Sequence, residues 1–264
     1  MNDVEQYYDT DDHSEWERLN RHKTEWAVTM RTLSEFLPPA PARILDIGGG
    51  PGRYAIALAK LGYQVTLADI SSESLKRADA QAKSEEVTLA GIYHADATDL
   101  SAFSDTAYDA VLMLGPLYHL ISQEARHQAV REAARVLKNQ GIVFAAFLNR
   151  FSALRVCVQE FPEWLAQNPD YATRLLETGI HRGEWGFTTA YFANVNEIQT
   201  LMGTHRFSAL QIVGCEGIAA FAEERLNALA DEAWEWWADL NYQLGKDAAL
   251  HGSAIHLVYV GQKK

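Results

Sequence analysis

The chain is expected to fold as an α/β domain, built on a doubly wound, mostly parallel sheet of seven strands with helices on both faces. Three observations predict this. Short apolar runs alternate with amphipathic stretches between residues 43 and 148, a glycine-rich turn closes the first of those runs, and 48% apolar with 22% charged residues is the balance of a globular core. Strands separated by helical stretches need crossovers, which favours parallel pairing.

Residues 1–39 read as an N-terminal helical cap segment. Ser14-Glu15-Trp16-Glu17 has the form of a capping box, and Trp16, Leu19, Trp26, Met30, Leu33 and Leu37 continue one apolar stripe to Pro38-Pro39, where a helix must stop. Residues 40–264 read as the main domain. Arg43 to Ile47 is the first strand, 53–61 a helix closed by Gly62, Gln64 to Asp69 the second strand, and Ser72 to about Ala82 a polar helix. Leu89–His94, Tyr108–Leu114 and Ile142–Leu148 are the third to fifth strands, with a helix from about Ser122 to Lys138 before the last. Residues 151–192, with Pro162, Pro169, Gly179, Gly183 and Gly186, lack a clean period and are expected to be helical excursions and loops forming a lid. A helix start at Asn194 leads to a strand at 207–215, a second helical lid insertion spans 218–250, and Ala254–Val260 closes the sheet. All seven tryptophans fall outside residues 40–150, where they either seal added helices onto the core or wall a lid over the acceptor.

Lys plus Arg number 23 against 35 for Asp plus Glu, a net charge of −12 that repels phosphate backbones and anionic lipid, so neither nucleic acid nor membrane is an expected partner. The two cysteines, Cys157 and Cys215, lack the clustering of a zinc site or disulfide framework, and no metal is expected. Without a basic and apolar leader the expected location is the cytoplasm. A homodimer is compatible with the sequence and is not specified by it.

The turn reads Asp46-Ile47-Gly48-Gly49-Gly50-Pro51-Gly52-Arg53. It sits where open parallel sheets bind nucleotides. A dinucleotide fingerprint would need glycine at 53, where arginine stands, and Pro51 removes an amide that could have met a pyrophosphate, which disfavours a nicotinamide oxidoreductase. The pattern D-x-G-x-G-x-G instead resembles the first motif of the class I S-adenosylmethionine-dependent methyltransferases, which have a Rossmann-like fold. Asp69 follows at the end of the second strand, His94-Ala95-Asp96-Ala97 at the end of the third, and Leu112-Met113-Leu114-Gly115-Pro116-Leu117-Tyr118-His119 along the fourth. The resemblance covers residues 40–150 strongly and the C-terminal strands weakly. It implies S-adenosyl-L-methionine as cofactor, with Gly48, Gly49, Gly50 and Gly52 letting it approach the backbone, Asp69 and Ile70 at the ribose, Asp96 and Ala97 at the adenine, and Leu114 beneath the methionine part. Asp46 would orient the loop or reach the ammonium through water. Plainer roles exist: the glycines as a simple turn, Asp69 as a helix cap although Ser71 or Ser72 can serve, and Asp96 as a turn residue before Thr98.

The implied activity is methyl transfer to a small-molecule acceptor at nitrogen or oxygen, mainly by proximity and orientation. Alternatives are transfer of another group from the same cofactor, as aminopropyl transferases do from a decarboxylated form, and non-catalytic cofactor binding. His119 follows the fourth strand near where the methyl should point, and an ordinary imidazole titrates near neutrality, so it is the first catalytic candidate, with Tyr118 beside it. Local packing is the plainer role for both. A tyrosine of the N-terminal segment, Tyr7 or Tyr8, is expected to touch the cofactor. Arg150, Arg155, His181, Arg182, Trp185, Tyr191, Glu216 and His256 are unranked candidates for the acceptor pocket.

Overall fold

A computed structural model describes residues 7–9, 14–185 and 187–264. Helix α1 (Ser14–Arg21) begins at the expected place, although the Ser14 and Glu15 side chains of the capping box lie outside the described residues, as does Gly186. The expected single N-terminal helix breaks at His22, whose backbone leaves the helical region (φ −98°, ψ 59°) while its ring meets Glu223 at 2.6 Å; α2 (Lys23–Phe36) then runs on to the prolines.

The next elements are β1 (Arg43–Ile47), α3 (Arg53–Lys60), β2 (Gln64–Asp69), α4 (Ser72–Ser84), β3 (Gly91–His94), β4 (Tyr108–Met113), the short α5 (Pro116–His119), α6 (Gln123–Val136) and β5 (Leu137–Asn149). Ser71 and Ser122 cap α4 and α6 with their hydroxyls. The strands stand in the order β3-β2-β1-β4-β5, every pair parallel. Along them successive residues belong to opposite layers: Leu45, Val111, Met113 and Val143 pack on one face, Ile44, Ala110, Leu112 and Phe144 on the other. Both faces are apolar, which is why these strands read as continuous runs.

After β5 come α7 (Arg150–Glu160), α8 (Pro162–Gln167) and α9 (Pro169–Thr178), the latter two each opening on a proline and α9 closing on left-handed Gly179. The chain then forms a hairpin, β6 (Ile180–Arg182) and β7 (Thr189–Ala193), followed by α10 (Val195–Thr204), β8 (Phe207–Gly214), α11 (Glu223–Asn227), α12 (Asp231–Gly245) and β9 (His256–Lys263). Strand β9 inserts antiparallel between β5 and β8.

Among the described residues the sheet therefore has nine strands, not seven. Strand β5 outruns β4, whose last partner is Ala145, and the exposed edge of Leu148 and Asn149 takes β7 as a parallel neighbour through Phe192 and Ala193. Residues 151–192 thus carry a strand pair as well as helices. Of the 218–250 segment, α12 lies against α2 and β8, and no residue of 218–250 is among the described residues lining the cleft at the glycine turn.

Candidate active site

The C-terminal ends of β1, β2 and β4 open into a cleft of about 1060 Å³, counting the solvent at its open mouth. Its floor is the glycine turn. The Gly48 amide donates to the Ala68 carbonyl at 2.7 Å, drawing the turn over the end of β2. A Cβ on Gly49 would stand 2.4 Å from Leu67 Cδ1 and 2.5 Å from Asp46 Oδ2, so a side chain there would push on the carboxylate beneath. Gly50 has φ +54° and nothing within 4 Å of a built Cβ: its missing side chain leaves space for a ligand. Gly52 sits one step back as the left-handed N-cap of α3, outside the lining.

Two acidic residues face this turn. Asp46 is 1% exposed and neither carboxylate oxygen has a hydrogen-bond partner; burial, reinforced by the charge of Asp69, pushes its pKa up to about 7. Asp69 accepts from the Gly50 amide at 2.7 Å and the Ser71 amide at 2.8 Å, and burial raises its pKa against the pull of those amides. Asp96 accepts from both the amide and the hydroxyl of Thr98, the turn contact considered above, while still lining the cleft with Ala97 and Ile70.

The far wall is aromatic. Tyr118 and His119 stand on α5, their rings 4.7 Å apart, and His119 Nε2 meets the Tyr8 hydroxyl at 2.9 Å. Burial pushes the His119 pKa down to about 4, against a smaller opposing effect of the Thr189 backbone. That overturns the expectation of an imidazole titrating near neutrality: the ring is enclosed by Tyr8, Tyr118 and Phe187. Tyr8 is held over the cleft because Asp9 accepts from the Ser71 hydroxyl at 2.6 Å and from the Glu73 amide at 3.4 Å. Tyr7 packs edge-on to Tyr8 and is outside the lining.

The cleft gathers Tyr8, Asp46, Gly48, Gly49, Gly50, Asp69, Ile70, Asp96, Ala97, Leu114, Tyr118 and His119. It also takes in Arg18, Leu19 and Tyr54, which the sequence reading missed. Arg18 is placed by Glu25, which it contacts at 2.5 and 3.0 Å. Arg53, which marked the departure from a dinucleotide fingerprint, is sandwiched between Trp16 and Trp26 at 5.0 and 5.2 Å and donates to the Trp16 carbonyl, fastening α1 to the glycine turn. The only signal for that role was the pair of tryptophans outside the core.

The proposed acceptor residues lie elsewhere. Arg150 is buried against Glu197 and the Phe192 carbonyl, and His181 is wholly buried beside Tyr171. Glu216, Glu25 and His256 bring three ligand-type atoms within 4.8 Å of one another. Their oxygens are already committed, Glu25 to Arg18 and Glu216 to the His256 ring and to the amides of Ile255 and His256, so the cluster is a buried ion network. Burial alone would lower the His256 pKa, but Glu25 and Glu216 outweigh it and raise it to about 9; burial of Glu25 is likewise outweighed, chiefly by Arg18, leaving it at about 2.

A family model described as a methyltransferase domain matches residues 45–145, from the middle of β1 to the middle of β5. The fold is shared with solved structures of S-adenosylmethionine-dependent methyltransferases. The chain is 32% identical over 155 residues to a ubiquinone biosynthesis O-methyltransferase of Xanthomonas axonopodis pv. citri (strain 306), covering 58% of this chain and 60% of that one. Among solved structures, a SAM-dependent methyltransferase from Methanosarcina mazei aligns with TM-score 0.61 at 20% identity over 88% of this chain and 96% of its own. The [4+2]-cyclase SpnF aligns with TM-score 0.58 at 15% identity, covering 90% and 80%. The residues of the cleft fit S-adenosylmethionine: both Asp46 carboxylate oxygens are buried without a hydrogen-bond partner, where they could balance a cation, and Gly50 leaves the approach open. Among the described residues, no helix is long and apolar enough to cross a membrane.

Proposed function

We propose that the chain transfers a methyl group from S-adenosylmethionine to an oxygen of a small-molecule acceptor. The observation that carries this reading is the cleft itself, where the orphaned Asp46 carboxylate and Asp69 lie at one end and the Tyr8–His119 pair at the other. The name of the Xanthomonas relative favours oxygen over nitrogen.

Held by these residues, S-adenosylmethionine would supply an electrophilic methyl to an oxygen lone pair of the acceptor, the C–S electrons staying on sulfur and the hydroxyl proton leaving through His119 to solvent. Asp46 balances the cofactor's ammonium, and that nearby cation holds the carboxylate ionised. Asp69 keeps lone pairs for the ribose hydroxyls while the Gly50 and Ser71 amides fix its rotamer. His119 is neutral at physiological pH, and its Nε2, which shares a hydrogen bond with the Tyr8 hydroxyl, would share one with an acceptor hydroxyl in its place. An imidazole with so low a pKa is a weak base, so alignment and exclusion of water account for most of the acceleration.

The test is mass spectrometry of phenolic and alcoholic metabolites incubated with the protein and methyl-labelled cofactor, with S-adenosylhomocysteine binding followed separately by calorimetry. A small metabolite labelled at oxygen supports the reading. Label on RNA or protein, another group transferred, or absence of homocysteine-product binding overturns it.

A further inference from the structure

A second cleft opens between α6 and α10, sharing no lining residue with the first. It encloses about 830 Å³ of empty space above Phe147, Ile198 and Leu201, with Gln123, Thr200 and Arg126 among its walls. Around Tyr191, at the back of the cleft, two guanidiniums meet one carboxylate, and only Arg126 of the two lines the cleft. The Arg126 and Arg150 guanidinium carbons stand 3.5 and 5.8 Å from the centroid of Tyr191, and both groups are buried. Among the described residues the carboxylate serving this pair is Glu197, and it is committed: it accepts from Arg150 at 2.7 Å, from the Tyr191 hydroxyl at 2.6 Å and from the Asn194 amide at 3.0 Å.

Arg126 itself has no carboxylate within ion-pair distance among the described residues. Its Nη1 donates to the carbonyls of Leu120 and Ile121 at 2.7 and 2.8 Å. A buried guanidinium is ordinarily paired with an anion, since removing it from water is costly otherwise. Burial lowers the Arg126 pKa and the like charge of Arg150 adds to it, against the opposing effects of Tyr191 and Glu197. The nearby imidazoles of His127 and His205, 2.8 Å apart, supply no negative charge.

We propose that this cleft is a second binding site, which takes a small organic carboxylate carried on an apolar body, the carboxylate at Arg126 and the body over Phe147, Ile198 and Leu201. A planar guanidinium matches the two oxygens of a carboxylate, and the apolar floor favours an organic acid over an inorganic anion. The site is independent of the methyl-transfer reading.

Benzoate is the probe, titrated by calorimetry into the protein alone and again with S-adenosylhomocysteine present, with benzamide and inorganic phosphate as parallel arms. Saturable benzoate binding is expected, with benzamide and phosphate silent. Arg126→Gln should weaken it at least about tenfold. Because Arg126 also holds two carbonyls, Thr200→Glu is the second variant: Thr200 is exposed and its hydroxyl bonds only within α10, so the added charge should repel benzoate by a similar factor while the melting temperature holds. Absent benzoate binding, affinity unchanged in folded Thr200→Glu, phosphate binding in benzoate's place, or competition between benzoate and S-adenosylhomocysteine would each overturn the proposal.

Discussion

Asp46 is the residue on which the cleft's chemistry turns. A carboxyl whose folded pKa is raised above its unfolded value stabilises the fold at pH below the unfolded value and loses that contribution as pH climbs through about 7. The ligand-free protein should therefore lose melting temperature between about pH 4 and 7 by an amount that Asp46→Asn removes. The same substitution should weaken S-adenosylmethionine binding about tenfold or more, since the ammonium loses its counter-charge; unchanged affinity in calorimetry would place the ammonium elsewhere. For His119, the pH profile of turnover should show no inflection near 6.5, and His119→Gln, which keeps an acceptor, should retain more activity than His119→Ala. The glycines, Asp46 and Asp69 were legible because their spacing is local. The depressed His119 pKa was not, because Tyr8 and Phe187 reach it from distant parts of the chain.

At the scale of elements, the ion network ties α1 and α2 to the start of β9. His256 is raised to about 9, so its stabilising contribution is complete below about pH 6.5 and fades as pH rises through 9. Thermal melts should show the wild type losing its advantage over His256→Gln across that window. Arg53→Ala should loosen α1 from the glycine turn, read as faster amide exchange over 16–21 with little change in the core strands, because it removes two indole stacks and the contact to the Trp16 carbonyl. The five parallel strands were legible from alternation alone. The β6–β7 hairpin was not, since what makes Thr189–Ala193 a strand is the unpaired end of β5, a fact of tertiary structure. Proline spacing hinted at α8 and α9 without saying where they would pack.

For the whole molecule, a ligand that binds only the folded state must raise its stability, by about 2.7 kcal/mol at a hundredfold excess over the dissociation constant. S-adenosylhomocysteine should shift the melting curve accordingly and NAD should not; a shift with NAD alone would reverse the cofactor assignment. The net charge of −12 marks the surface as hostile to polyanions, yet it says nothing about a cleft lined by Arg126, whose guanidinium has no carboxylate within ion-pair distance among the described residues. Bulk composition averages over such local imbalances.

Asp9 grips both the Ser71 hydroxyl and the first turn of α4, while the neighbouring tyrosine hangs on His119. These contacts draw the segment at residues 7–9 against the same cleft that Tyr8 lines. If the proposed function holds, Asp9→Ala should quicken dissociation of S-adenosylhomocysteine, read by stopped-flow fluorescence, because Tyr8 loses the anchor beside it.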